Sequence, residues 1–244
     1  MAEHLGNADH LPKRRQGGQP TAPPELPRQR RGTTPQGRGR YPDFDVLDEA
    51  GHWDELTRRA VLDRVENVPA IRFFDPSEAA TLGAFCDVVL AQHAEPRIPV
   101  LAMVDDKLHS GRLDGYQHDD MPDDRDTWRR ASQGLDAEAG AHGAATFADA
   151  QLDAQRAICQ RFADAELTGG VWDELPVAKA WSVIMRAVLS AFYSHPWAWN
   201  EIGFGGPAHP RGYSRMGIGL REEWEGKEAF AVDPVTDVAG RGLE

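Results

Sequence analysis

The densest set of side chains able to bind a metal lies in the connection His109–Asp126, HSGRLDGYQHDDMPDDRD. His109, Asp114, His118, Asp119, Asp120, Asp123 and Asp124 offer imidazole nitrogens and carboxylate oxygens, a mixture suited to a divalent cation. Their spacing matches neither HExxH, which sets two histidines on one helix face, nor the twelve-residue calcium loop closed by an acid. Acids gathered ahead of a helix also have a structural use, because they complement the positive end of its dipole. An independent metal-dependent enzyme using this cluster is therefore the alternative reading, and helix capping in a solvated loop the simpler one.

Other catalytic patterns are weaker. The chain has no GxSxG elbow, and a Ser/His/Asp set cannot be chosen when its members could lie anywhere in the fold. Cys86 and Cys159 are the only cysteines and lack CxxC or CxxCH spacing, so neither a zinc site nor covalent haem attachment is encoded. The pair reads as two buried thiols, with a disulfide left open. Gly203-Phe204-Gly205-Gly206 lacks the strand–turn–helix setting of a dinucleotide site. His195 and His209 could donate protons, but a histidine beside a proline in a turn is more often a hydrogen-bonding partner of the backbone. No residue is assigned as catalytic, cofactor-binding or metal-ligating.

The aromatic residues carry more. Phe192–Tyr213, FYSHPWAWNEIGFGGPAHPRGY, packs two Trp, two Tyr, two Phe, three Pro, four Gly and two His into twenty-two residues, far more than a solvated loop needs. Pro196, Pro207 and Pro210 lack an N–H and restrict the residue before them, so an ordered, non-repetitive loop is predicted, with no regular helix through it. Rings held on a stiff backbone resemble the buried anchors of protein interfaces. Trp197, Trp199, Phe204, His209, Arg211 and Tyr213 are thus candidate partner-interface residues. The competing reading is that the rings cover the chain's own core.

Helices must position these features. Trp53–Val65 shows an apolar stripe of Leu56, Ala60, Val61 and Val65. Asp75-Pro76-Ser77-Glu78 is a capping box with proline in the first turn, ahead of Leu82, Phe85, Cys86, Val89 and Leu90 on one face. A short helix bears Val100, Leu101, Val104 and Leu108 and stops at Ser110-Gly111. Asp123 or Asp124 caps a fourth, with Trp128, Ala131 and Leu135. A fifth runs near Phe147–Leu167, with Leu152, Cys159 and Phe162 inward, and ends at Thr168-Gly169-Gly170. The clearest period is in Pro176–Ser194, where Trp181, Ile184, Met185, Val188, Leu189 and Phe192 share a face. No segment alternates with period two. The predicted fold class is mainly α: one helical domain over 41–226 with long ordered Gly/Pro-rich loops.

The flanks differ. Residues 1–40 hold eight Lys or Arg against three acids and almost nothing apolar, so this basic arm is predicted to be disordered in isolation. Residues 227–244 read as a C-terminal tail. Arg14-Arg15 is not followed by the apolar stretch of a twin-arginine signal, and no other segment approaches the roughly 18 apolar residues of a membrane helix. The whole chain of 244 residues has a net charge of −12, which disfavours a nucleic-acid partner despite the arm.

SHPWAWNEIGFGGPAHPRGY resembles the signature of the gluconate 2-dehydrogenase subunit 3 family. The likeness extends through YPDFDVLDEAGHWDELTRRAVLDRV, FFDPSEAATLGAFCDVVL, DGYQHDDMP and Trp224-Glu225. It implies a non-catalytic small subunit that stabilises or assembles a large one. In such complexes FAD and the oxidation of a sugar, sugar acid or glycoside belong to a large subunit of the glucose-methanol-choline (GMC) oxidoreductase type, and some complexes add a cytochrome subunit. The resemblance carries over no catalytic residue and no cofactor for this chain. Familiar members have a twin-arginine leader; without its apolar region here, a cytoplasmic location is expected, or export with a partner that carries the signal.

Overall fold

The start signals read from the sequence act as helix caps in the computed structural model, which describes residues 41, 43–112, 117–215 and 220–227. The basic arm 1–40, Asp114 and nearly all of the tail lie outside the described residues. The side chain of Asp75 accepts from the backbone N–H of Ser77 and Glu78, and Glu78 accepts in return from the Asp75 N–H at 3.0 Å. Two otherwise orphaned donors are thereby satisfied where α2, Pro76–Val89, begins. Asp54 caps α1, Glu55–Glu66, and Asp123 caps α4, Asp124–Ala141. Gly111, in the left-handed region at φ 70, closes α3, Val100–Ser110.

The remaining α-helices are α5, Leu152–Ala163, α6, Val177–Ser194, and α7, Pro196–Ile202, joined by 3-10 helices at Val46–His52 and Gly170–Asp173. All regular structure among the described residues is helical, in a single domain. Helices α2 to α6 form a bundle in which α2 packs on α3, α4 and α5, and α6 packs on α3, α4 and α5. Phe85, Phe162, Trp172 and Trp181 stack within it at tilted or edge-on angles, with centroids between 5.0 and 6.1 Å. A second group, made of α1, the 3-10 helix Val46–His52 and α7, packs at the end of α6. Cys86 and Cys159 are buried free thiols. No helix of the described residues is long and apolar enough to cross a membrane.

Four expectations need correction. Leu56 and Ala60 are exposed, because the face α1 buries is Val61, Leu62 and Val65, and Leu56 lies nearly opposite at about 100° per residue. α5 is shorter than predicted: Ala165 turns to φ 58 after its end, Phe147 and Leu167 reach the core from flanking segments, and Leu152 in the first turn is exposed. On α6 the buried line is Ala180, Ile184, Val188 and Phe192, which leaves Leu189 about 120° away and exposed. Finally, Phe192–Tyr213 is not a continuous irregular loop. Pro196 occupies the first turn of α7, where its missing N–H would have had no intrahelical partner, so it starts a helix there.

Candidate functional site

His195 governs the passage from α6 to α7. It is 1% exposed, its Nδ1 accepts from the Trp197 N–H at 3.2 Å, and its ring donates a hydrogen bond to the backbone of Arg64 on α1. With Nδ1 an acceptor the ring is neutral, and burial pushes its pKa down to about 4. Both nitrogens serve the fold, so the residue is a helix cap and not an available proton donor. Arg64 also donates to the Ser194 carbonyl and lies over the Trp199 ring.

α7 then buries its face completely. Trp197 is 6% and Trp199 5% exposed, and the Trp199 indole donates to the Tyr193 carbonyl at 2.7 Å. Asn200 accepts from the Val46 N–H at 2.8 Å and donates to Asp45, fixing the 3-10 helix to α7 across more than 150 residues of sequence. Gly203 ends α7 at φ 68. A Cβ there would sit 2.7 Å from the Tyr41 ring, one at Gly205 2.4 Å from Trp224, and one at Gly206 2.9 Å from Trp53. The glycines thus form a bare floor on which three rings from the two ends of the domain rest.

The remaining candidates close this clasp. Phe204 is half-buried and edge-on to Trp199. Arg211, its side chain 11% exposed, donates to Glu49 and to the Gly205 carbonyl, both at 2.8 Å, beneath the Trp224 ring. His209 is exposed and pairs with the α1 cap Asp54 at 2.7 Å. Hydrogen bonds from Thr57, more than the histidine, hold the Asp54 carboxyl below the usual range. Tyr213 is 42% exposed. The rings of Trp197 and Trp199 therefore face the chain's own core, and of the six candidates His209 and Tyr213 show the most surface.

The acidic connection is dispersed. Asp123 caps α4, Asp120 pairs with Lys179 of α6 at 2.6 Å, and His109 and Asp119 point to solvent. His118 and Asp124 line a shallow cavity of ≈30 Å³ over Trp128. No group of three His, Cys, Asp or Glu among the described residues is placed to hold a metal ion.

Several buried polar groups were missed, Asp105, Asn200 and Glu222 among them. Asp105 on α3 is wholly buried and accepts from the backbone N–H groups of Arg72, Phe73 and Phe74 at 2.7–2.9 Å. Its signal was visible, because it shares a helix face with Leu101 and Leu108. Asn200 and Glu222 gave none. Glu222 accepts from the N–H groups of Arg215 and Ser214, which lower its pKa.

Comparison with known families yields a match. The family described as gluconate 2-dehydrogenase subunit 3 matches residues 76–206, just over half of the chain, spanning the bundle, α7 and the glycine floor. No curated protein matches, and no solved structure does.

Proposed function

The chain belongs to the gluconate 2-dehydrogenase subunit 3 family, and from that membership we propose that it is a non-catalytic accessory subunit of a flavin-dependent dehydrogenase complex. The observation that carries this reading is the match over residues 76–206, whose description is of one subunit of a multi-subunit dehydrogenase. The large subunit is proposed to be of the GMC type, to hold FAD and to oxidise a sugar, sugar acid or glycoside; a cytochrome is a further candidate partner.

Two features of the chain support the non-catalytic part. Two clefts among the described residues, at the α3–α4–α6 junction and beside Trp172, measure ≈30 and ≈210 Å³, below the ~300–1,000 Å³ of a typical ligand pocket. The polar groups of the signature segment are engaged within the chain's own fold: His195 with backbone, Asn200 with Asp45, Arg211 with Glu49. Their chemistry is spent on holding the fold.

The test is expression of the neighbouring large subunit with and without this chain. We expect soluble, flavin-loaded, active large subunit only when the two are made together. A large subunit that is equally soluble, flavin-loaded and active alone sinks the reading.

A further inference from the structure

The ≈210 Å³ cleft beside Trp172 runs between the second half of α4 and the turn before the 3-10 helix Gly170–Asp173. Gly134, Ala137 and Ala141 line it on α4, with Glu138 among them, and Gly169 and Gly170 line it opposite. Trp172 is 6% exposed, and its indole Nε1 is buried with no acceptor among the described residues. The edge that carries Nε1 borders the cleft wall, since a Cβ built at Gly134 would lie 2.5 Å from the adjoining ring carbon Cε2. Buried donors are almost always paired, so an acceptor entering the cleft would complete this one. The surroundings are anionic. Residues 133–174 hold eight acids and two arginines. Both arginines are already engaged there, Arg161 with Glu138 at 2.6 Å and Arg156 with Asp153 at 3.6 Å. Asp164 and Glu166 meet no cation among the described residues, and the exposed Glu174 meets only Arg130, at 3.6 Å. An occupant must therefore be slim, positively charged and able to offer carbonyl oxygens.

We propose that this cleft is the seat of the chain's own basic arm, with Arg28, Arg30 and Arg31 lying beside Trp172. The segment Arg28–Arg40, RQRRGTTPQGRGR, has five arginines, three glycines and no acid, which matches the cleft in charge and in bulk. Its length fits as well. The arm enters the fold at Tyr41, which rests on Gly203 beyond the end of α6, whereas Trp172 joins the first turns of α6 through Phe162 and Trp181. That helix is about 27 Å long. The ten to thirteen residues between Arg28–Arg31 and Tyr41 span up to about 33–45 Å when extended. The acids close to Tyr41 are less available, because Glu49 is held by Arg211, Asp54 by Thr57 and His209, and Asp45 by Asn200. A covalent tether sets the local arm concentration in the millimolar range, which favours this arm over that of a second copy carrying the same charge of −12. The inference is independent of the accessory-subunit reading.

The experiment is limited trypsin digestion of the purified full chain at low salt, with cleavage followed site by site by mass. Cleavage after Arg28, Arg30 and Arg31 should be about 10-fold slower than after Arg14 and Arg15, which lie in the same arm outside the seated stretch. The double variant Glu166→Gln, Glu174→Gln should bring the two rates together. Ala137→Trp, which fills the cleft and leaves every charge in place, should do the same and separates a seated arm from diffuse attraction. Cys86 and Cys159 staying unreactive towards a thiol reagent shows that each variant is folded. Equal rates at the two sets of sites in the unaltered chain overturn the proposal, as does protection that neither variant relieves. Protection that disappears on about 100-fold dilution assigns the cleft to the arm of a second copy, and protection that appears only with the large subunit assigns the arm to that partner; either outcome overturns it.

Discussion

Gly203 is excluded from change by two independent effects. Its φ of 68 disfavours any side chain, and a Cβ would lie 2.7 Å from the Tyr41 ring, which cannot retreat because Arg221 holds its hydroxyl at 2.9 Å. Gly143 isolates the first effect, since its φ is 78 and nothing lies within 4 Å of a Cβ built there. Gly143→Ala should therefore cost about 1 kcal/mol in urea unfolding, the conformational cost alone. Gly203→Ala should cost about 3 kcal/mol, because overpacking adds to it. Equal losses at the two sites would mean that the ring contact is relieved for nothing. Asp105 illustrates the opposite dependence, on a group that is present: Asp105→Ala strands the N–H groups of Arg72, Phe73 and Phe74 and should lower stability by about 3 kcal/mol. A loss below 1 kcal/mol in the same unfolding measurement would show that the three donors find other acceptors.

At the scale of elements, the junction of α6 and α7 depends on one neutral imidazole. Folding depresses the His195 pKa to about 4 from an unfolded value near 6.5, so between those values the unfolded chain binds the extra proton. The contribution is complete above about pH 6.5 and is lost as the pH falls towards 4, by about 3 kcal/mol in all; the adjacent Arg64 guanidinium works in the same direction. His195→Asn keeps an acceptor for the Trp197 N–H but cannot titrate. Its stability, measured by denaturant titration at several pH values, should decline less between pH 6.5 and 4.5 than that of the unaltered chain. Identical slopes would remove His195 from the acid response. This junction also marks where sequence reasoning stopped. The start of α2 was legible because Asp75, Pro76 and Glu78 act within one turn, and α6 because eighteen residues display a period. α7 has seven residues, too few for a period, and Pro196 reads as a break when it is in fact a start. Whether Trp197 and Trp199 faced inward was undecidable locally, because the segments that enclose α7 come from Asp45–Val46 and Arg64, more than 130 residues away.

Across the whole molecule, the family match ends at Gly206, yet the glycine floor is useful only because segments outside it press down on it: Tyr41 and Trp53 from one side, Trp224 and Gly226 from the other. Gly226 donates to the Gly203 carbonyl at 2.8 Å, and Trp224 covers both Gly205 and Arg211. The buried residues of this clasp and of the bundle form one continuous cluster, from Val46 and Trp53 through Phe192 to Trp199. Loss of the C-terminal strap should therefore weaken the entire fold and not fray one corner of it. Cys86 on α2 and Cys159 on α5 report on this from a distance, since both are buried in the bundle; burial pushes the Cys159 thiol up to about 12 and Cys86 higher still, which leaves them unreactive until the chain opens. A chain ending at Arg215, without Trp224, should lose about 3 kcal/mol and melt about 10 °C lower. Both cysteines should then react with a thiol reagent about 100-fold faster and at matching rates, because a single opening exposes them. Protection that survives truncation at both thiols would instead make the bundle an independent unit, with the clasp folded onto it afterwards.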